Sequence, residues 1–257
     1  MRSHAPALRF AATLALSLGA AACSYAPSVP ARAAPALAPA PAGVARGQDL
    51  FRGAKGVTLF EQWWRPTNRP VRAAVAVVHG LKDHSSRYAE LANRLAAEGE
   101  AVYAFDLRGH GRSEGVRVDV ADFDDYLGDL DAFLARIRSR EPGKPVFVFG
   151  HSMGGAIVTL DVIEHKPAVA GVVLSGAALK ADVPFLKVVG TKTIAAISPD
   201  AGVFNLDLHD FCRDPKVVAE GLADPLVYQD AAPARTARAL LGAIDRIQAH
   251  MEAVTAP

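Results

Sequence analysis

One serine, Ser152, sits in the run VFVFGHSMGGAIVTL (residues 146–160), framed by Gly150-His151 before it and Met153-Gly154-Gly155 after it. The five-residue form G-x-S-x-G is common by chance, so its surroundings decide its meaning. Here an apolar, β-branched and aromatic run precedes it and a helix-forming run follows. That context predicts a sharp strand-to-helix turn that strains the central residue and lifts its hydroxyl above the carboxyl edge of a sheet. A serine so placed is a candidate nucleophile, and the glycines leave room for neighbouring backbone.

A serine oxygen that attacks an ester generates an oxyanion, which needs fixed N–H donors. Each donor is worth about 3–4 kcal/mol of transition-state stabilisation. The N–H of Met153 is one candidate, at the positive end of the following helix. The second is expected in VVHGLKDHSSRY, where His79-Gly80 close an apolar strand and Leu81 offers its N–H. His79 is read as a residue that orients this loop rather than as a base.

These residues need a scaffold, and the hydrophobic pattern supplies one. VTLFEQWW, AAVAVVHG, AVYAFD, PVFVFG and AGVVLSG read as strands, several of them continuously apolar, as for strands covered on both faces. Between them, Tyr88, Leu91 and Leu95 mark one helix, and Phe123, Tyr126, Leu127, Leu130, Phe133, Leu134 and Ile137 another. AIVTLDVIEH extends a third. Alternating strands and helices specify an α/β fold with a mostly parallel sheet and helices on both faces.

Four stretches, HGLKDHSSRYAELANRL, FDLRGHGRSEG, DFDDYLGDLDAFL and PVFVFGHSMGGAI, resemble the α/β-hydrolase family in order and spacing. Within it they resemble the monoacylglycerol lipase and lysophospholipase-like serine hydrolases, of serine aminopeptidase S33 type. The resemblance implies a serine hydrolase that cleaves carboxylic esters of lipids through an acyl-enzyme on Ser152, with no metal and no organic cofactor. A small-ester esterase or an aminopeptidase on the same fold is the alternative. It also implies that Asp106, Arg108 and His110 shape a turn rather than react. Residues 177–233 would form a helical cap, with Phe185, Leu186, Val188, Val189, Ile194 and Ile197 along an acyl groove. LADPLVY and a helix bearing Leu240, Leu241, Ile244, Ile247 and Met251 would return the chain to the core.

In that family the catalytic acid and histidine follow two further strands, for which the sequence up to Pro257 offers no counterpart. The expectation is therefore an α/β-hydrolase domain lacking its last strands, or alternatively a truncated, inactive lipoprotein. Asp182 and the downstream histidines His165, His209 and His250 are in the right order to substitute, but His165 is expected to cap its helix, His209 to lie in the cap and His250 off the packed face of the last helix, so no substitute triad is expected.

The amino terminus reads differently. MRSHAPALR carries two arginines, residues 10–22 are an apolar run too short to span a bilayer, and small residues lead into Cys23. This resembles a bacterial lipoprotein signal (1–22), with Cys23 as the lipid anchor, Ser24 favouring the outer membrane, and an Ala/Pro-rich tether over 23–48. The hydrolase domain is then expected over 49–257, and the protein as an exported lipoprotein of the cell envelope. A net charge of +1 gives no bulk field for nucleic acid, and Cys23 and Cys212 are too few for a disulfide framework. With 51% hydrophobic residues, the remaining length can bury one sizeable core.

Overall fold

The structure is a computed structural model that describes residues 39–181, 184–205 and 208–257. The proposed signal, Cys23 and most of the proposed tether lie outside these residues. The first strand, β1 (Val44–Arg52), begins inside the stretch read as tether. It pairs antiparallel with β2 (Thr58–Pro66) along its whole length, from Val44 opposite Pro66 to Arg52 opposite Thr58. Its sequence, VARGQDLFR, gives no strand signal because β1 is largely exposed; the backbone pairing holds it, together with Phe51, which stacks on Phe133 and meets Phe105 edge-on in the core.

Four parallel strands follow: β3 (Ala73–Val78), β4 (Glu100–Phe105), β5 (Val146–His151) and β6 (Gly171–Ser175). Helix α1 (Ala89–Glu98) links β3 to β4, α2 (Asp124–Arg140) links β4 to β5, and α3 (Met153–Glu164) links β5 to β6. The sheet order is β1-β2-β4-β3-β5-β6, with β2 antiparallel to β4 and the rest of the inner sheet parallel.

Alternation along the central strands explains the layers. Ala74, Ala76 and Val78 of β3 and Ala101, Tyr103 and Phe105 of β4 face one side, where they meet α2 and α3. Val75, Val77, Val102 and Ala104 face the other side, against Ala92, Leu95 and Ala96 of α1. Helix α2 buries Tyr126, Leu127, Leu130, Phe133, Leu134 and Ile137 completely, at about 1.5–3 kcal/mol for each large aliphatic or aromatic side chain.

After β6 the chain leaves the sheet through α4 (Phe185–Ile197), β7 (Gly202–Phe204), α5 (Leu208–Phe211), α6 (Pro215–Ala223) and β8 (Ala232–Pro233). It returns as α7 (Ala234–Ala249), which packs on α3 and α4 and buries Ala243, Ile244 and Ile247; Met251 lies past its end. At the far edge of the sheet, Val173 and Leu174 of β6 are 53% and 41% exposed, while the Val172 N–H donates to the Pro257 carbonyl.

Candidate active site

Ser152 occupies the single residue between β5 and α3, with φ 51° and ψ −118°. A non-glycine residue rarely adopts this backbone conformation, and holding it there costs about 1–3 kcal/mol. The Ser152 N–H donates to the Ser175 carbonyl, and its own carbonyl accepts from the Ala156 and Ala178 N–H groups. The turn is tight enough that a β-carbon at Gly154 would collide with the carbonyl oxygens of Val78 and His79. Gly150 and Gly155 are hemmed in likewise, by the next turn of α3 and by Ala177.

The loop after β3 closes on the serine from the other side. A β-carbon at Gly80 would sit 3.1 Å from the Ser152 β-carbon and 3.4 Å from the His151 ring. Leu81 follows, buried, and with Ser152 lines a cavity of about 260 Å³. Met153 opens α3, so its N–H lacks an intrahelical acceptor. Ser152 and Leu81 thus share one cavity, with Met153 following Ser152 at the buried start of α3.

The loop is held by hydrogen bonds. His79 is fully buried; its Nδ1–H donates to the Gly80 carbonyl at 2.7 Å and its Nε2 accepts from the Leu107 N–H at 2.9 Å. Burial lowers its pKa to about 4, so the ring is neutral with both nitrogens engaged, and it orients the loop. Asp106 accepts from the Ser85 N–H and hydroxyl and from the Arg112 N–H. Arg108 pairs with Asp125 and Asp129, and buried His110 donates from Nδ1 to the Arg108 carbonyl. These three residues build the turn beneath the site and have no contact with Ser152 among their described bonds. His151 donates from Nδ1 to the Ser175 carbonyl at 2.9 Å.

The remaining histidines serve elsewhere. His84 Nε2 lies 2.9 Å from Asp224 Oδ2 and ties the Leu81 loop to the segment before α7, where the Tyr228 N–H also donates to the Lys82 carbonyl. His165 closes α3 but does more than cap it: its ring sits between Asp131 and Asp161. His209 is on α5, exposed, and His250 follows α7, exposed. Among the described residues no histidine is hydrogen-bonded to Ser152, and Asp182 lies outside them.

The cavity wall differs from the expected one. Leu186 and Ile197 are each 81% exposed, and Val188 lines a separate cavity of about 550 Å³ with Leu240, Leu241 and Ile244. The Ser152 cavity is instead walled by Leu208, Cys212, Val217, Val227 and Tyr228, with Lys82 and Arg87 at the loop side. Sequence periodicity identifies α4 as apolar but does not say which helix of the excursion reaches the serine. Cys212, with no second cysteine among the described residues to pair with, is one of the residues lining this cavity.

Comparison with known proteins agrees with this geometry. A family profile described as serine aminopeptidase, S33, matches residues 69–257. A monoacylglycerol lipase of Mycolicibacterium smegmatis is 37% identical over 82% of this chain and 76% of its own length. The monoglyceride lipase of Homo sapiens is 34% identical, covering 82% and 71%. The crystal structure of Paleococcus ferrophilus monoacylglycerol lipase superposes with a TM-score of 0.65 at 28% identity, over 83% of this chain and 75% of that one. With the profile spanning most of the chain and such relatives beside it, the protein belongs to the α/β-hydrolase family, in its monoacylglycerol-lipase-like S33 branch.

Proposed function

We propose that this protein is a serine hydrolase of lipid carboxylic esters, of monoacylglycerol or lysophospholipid type, acting through an acyl-enzyme on Ser152. The observation that carries the reading is the strained Ser152 backbone at the mouth of a mainly apolar-walled cavity, between the Leu81 loop and the start of α3. Ser152 Oγ attacks the acyl carbonyl, the Leu81 and Met153 N–H groups hold the oxyanion, the alcohol leaves, and water releases the acid. The names of the relatives, monoacylglycerol and monoglyceride lipases, support the same substrate class.

The profile's description also raises peptide substrates. An aminopeptidase needs a free carboxylate to hold the substrate's ammonium group. Asp83, at the cavity wall, is already engaged by the His84 N–H, the Tyr88 hydroxyl and Arg87, which favours the ester reading.

A fluorophosphonate probe tests the nucleophile. Labelling of the folded wild-type chain that disappears in Ser152→Ala supports it; a folded wild-type sample that stays unlabelled overturns an activated serine. Comparing monoacylglycerol with an aminoacyl anilide then separates the two substrate classes. We further propose that Cys23 is lipidated and tethers the domain to the cell envelope. The intact mass of membrane-extracted protein should carry acyl chains on Cys23, and an unmodified mature N-terminus would rule this out.

A further inference from the structure

We infer that Asp131, Asp161 and His165 form a binding site for a divalent transition-metal ion, at the end of α3 opposite Ser152. Asp161 and His165 are four residues apart and so share one face of the helix end; Asp131 approaches from α2. His165 Nδ1 lies 2.8 Å from Asp131 Oδ2 and 3.0 Å from Asp161 Oδ1, and the three ligand atoms are all within 4.8 Å of one another.

Within this cluster acceptor oxygens outnumber the protons that can reach them. One ring nitrogen faces two carboxylates and has at most one proton to give. Asp161 is 1% exposed, and its Oδ1, aimed at the same point, has the shared His165 Nδ1 at 3.0 Å but no hydrogen bond of good geometry. Arg138, on the same side, has its guanidinium engaged by the Ala168 carbonyl. Two carboxylates and a neutral imidazole would neutralise a divalent ion, and the carboxyl end of a helix favours positive charge.

The donor set names the ion class. One imidazole nitrogen and two carboxylate oxygens suit zinc, cobalt or nickel, whereas calcium and magnesium prefer all-oxygen shells. Metal–ligand bonds of about 2.0–2.2 Å require the present contacts to open by a few tenths of an ångström. Asp131 and His165, 46% and 38% exposed, can make that adjustment and leave water to complete the coordination. With about 1.5 Å of rise per residue, the thirteen steps from Ser152 place the site about 20 Å from the nucleophile. The ion would staple α2 to α3 and take no part in ester cleavage.

The test titrates the full chain, stripped with EDTA, with Zn²⁺ and with Co²⁺. Expected are one equivalent bound at micromolar affinity, visible absorption bands for the cobalt form, and a higher melting temperature. Asp131→Asn and His165→Gln should each weaken binding at least tenfold and remove the cobalt bands. Both positions are solvent-accessible, and far-UV circular dichroism in EDTA checks their folding; if His165→Gln unfolds, Asp131→Asn alone decides. Absence of wild-type binding below 1 mM, or wild-type affinity and stoichiometry in the variants, overturns the proposal.

Discussion

The two ends of α3 pose opposite electrostatic problems. At the amino end, the proposed reaction would place negative charge against the N–H groups of the helix start and the Leu81 loop, and the nearby ionisable ring, His79, is buried and neutral. At the carboxyl end, where the helix dipole already favours positive charge, two carboxylates crowd one imidazole. The amino end is rigid because glycines let backbone pack on backbone. The carboxyl end is adjustable because two of its three side chains reach solvent. Chemistry that needs fixed donors suits the first end, and capture of a mobile ligand suits the second.

The largest effect should come from Ser152→Ala. Turnover of monoacylglycerol should fall to the uncatalysed background, with the melting temperature nearly unchanged, because the hydroxyl contributes to reaction rather than to packing. Fatty-acid release measured alongside thermal unfolding separates the two, and retained turnover would move the chemistry away from this end of α3.

Acid should expose the next difference. His79 is held near 4 in the folded chain, against an ordinary value of 6.5. Below pH 6.5 the unfolded chain takes up a proton that the folded chain refuses. The stability is therefore complete above about pH 6.5 and is lost as pH falls towards 4, by roughly 3 kcal/mol from this ring. Buried His110, held near 3, steepens the same limb. Denaturant unfolding at pH 7 and pH 4.5 should show the loss, and His79→Gln should flatten it; an unchanged slope in that variant would place the acid sensitivity elsewhere.

Strain should be worth less. Ser152→Gly relieves the positive φ that Ser152→Ala retains, so the glycine variant should be the more stable by about 1 kcal/mol, after allowing for the entropy glycine gains on unfolding. Equal stabilities would mean that the surrounding hydrogen bonds, not the glycine packing, set the cost of this turn.

Much of the amino end was legible in the sequence because its determinants are local. The apolar run of β5, the glycines around Ser152 and the helix-forming residues after them are contiguous, and Leu81 follows directly from the end of β3. The cavity wall was not legible. Which of the apolar residues after β6 turn towards Ser152 depends on how α4, α5 and α6 pack, so Val217 and Tyr228 were missed while exposed Leu186 and Ile197 were expected there. Strand β1 escaped notice because an exposed edge strand carries little apolar alternation. At the carboxyl end, Asp161 and His165 show the four-residue spacing in plain view, but Asp131, thirty residues earlier, joins them only when α2 packs against α3.

That late-joining residue gives the smallest expected effect and the sharpest contrast with the amino end. In metal-free protein, Asp131→Asn should change stability by less than about 0.5 kcal/mol, since an ion pair this exposed is worth little. A compensating gain pulls the same way: removing the Asp131 charge relieves its repulsion of Asp161 and leaves the His165 proton to a single carboxylate. With Zn²⁺ present, the same substitution should abolish a stabilisation that grows with ion concentration, because only the folded state holds the ligands together. Unfolding midpoints of wild type and Asp131→Asn, measured in EDTA and in Zn²⁺, therefore form a cycle. A cost above about 1 kcal/mol in EDTA, with no further cost in Zn²⁺, would make the cluster a fixed clamp between α2 and α3 and the ends of the helix more alike than their chemistry indicates.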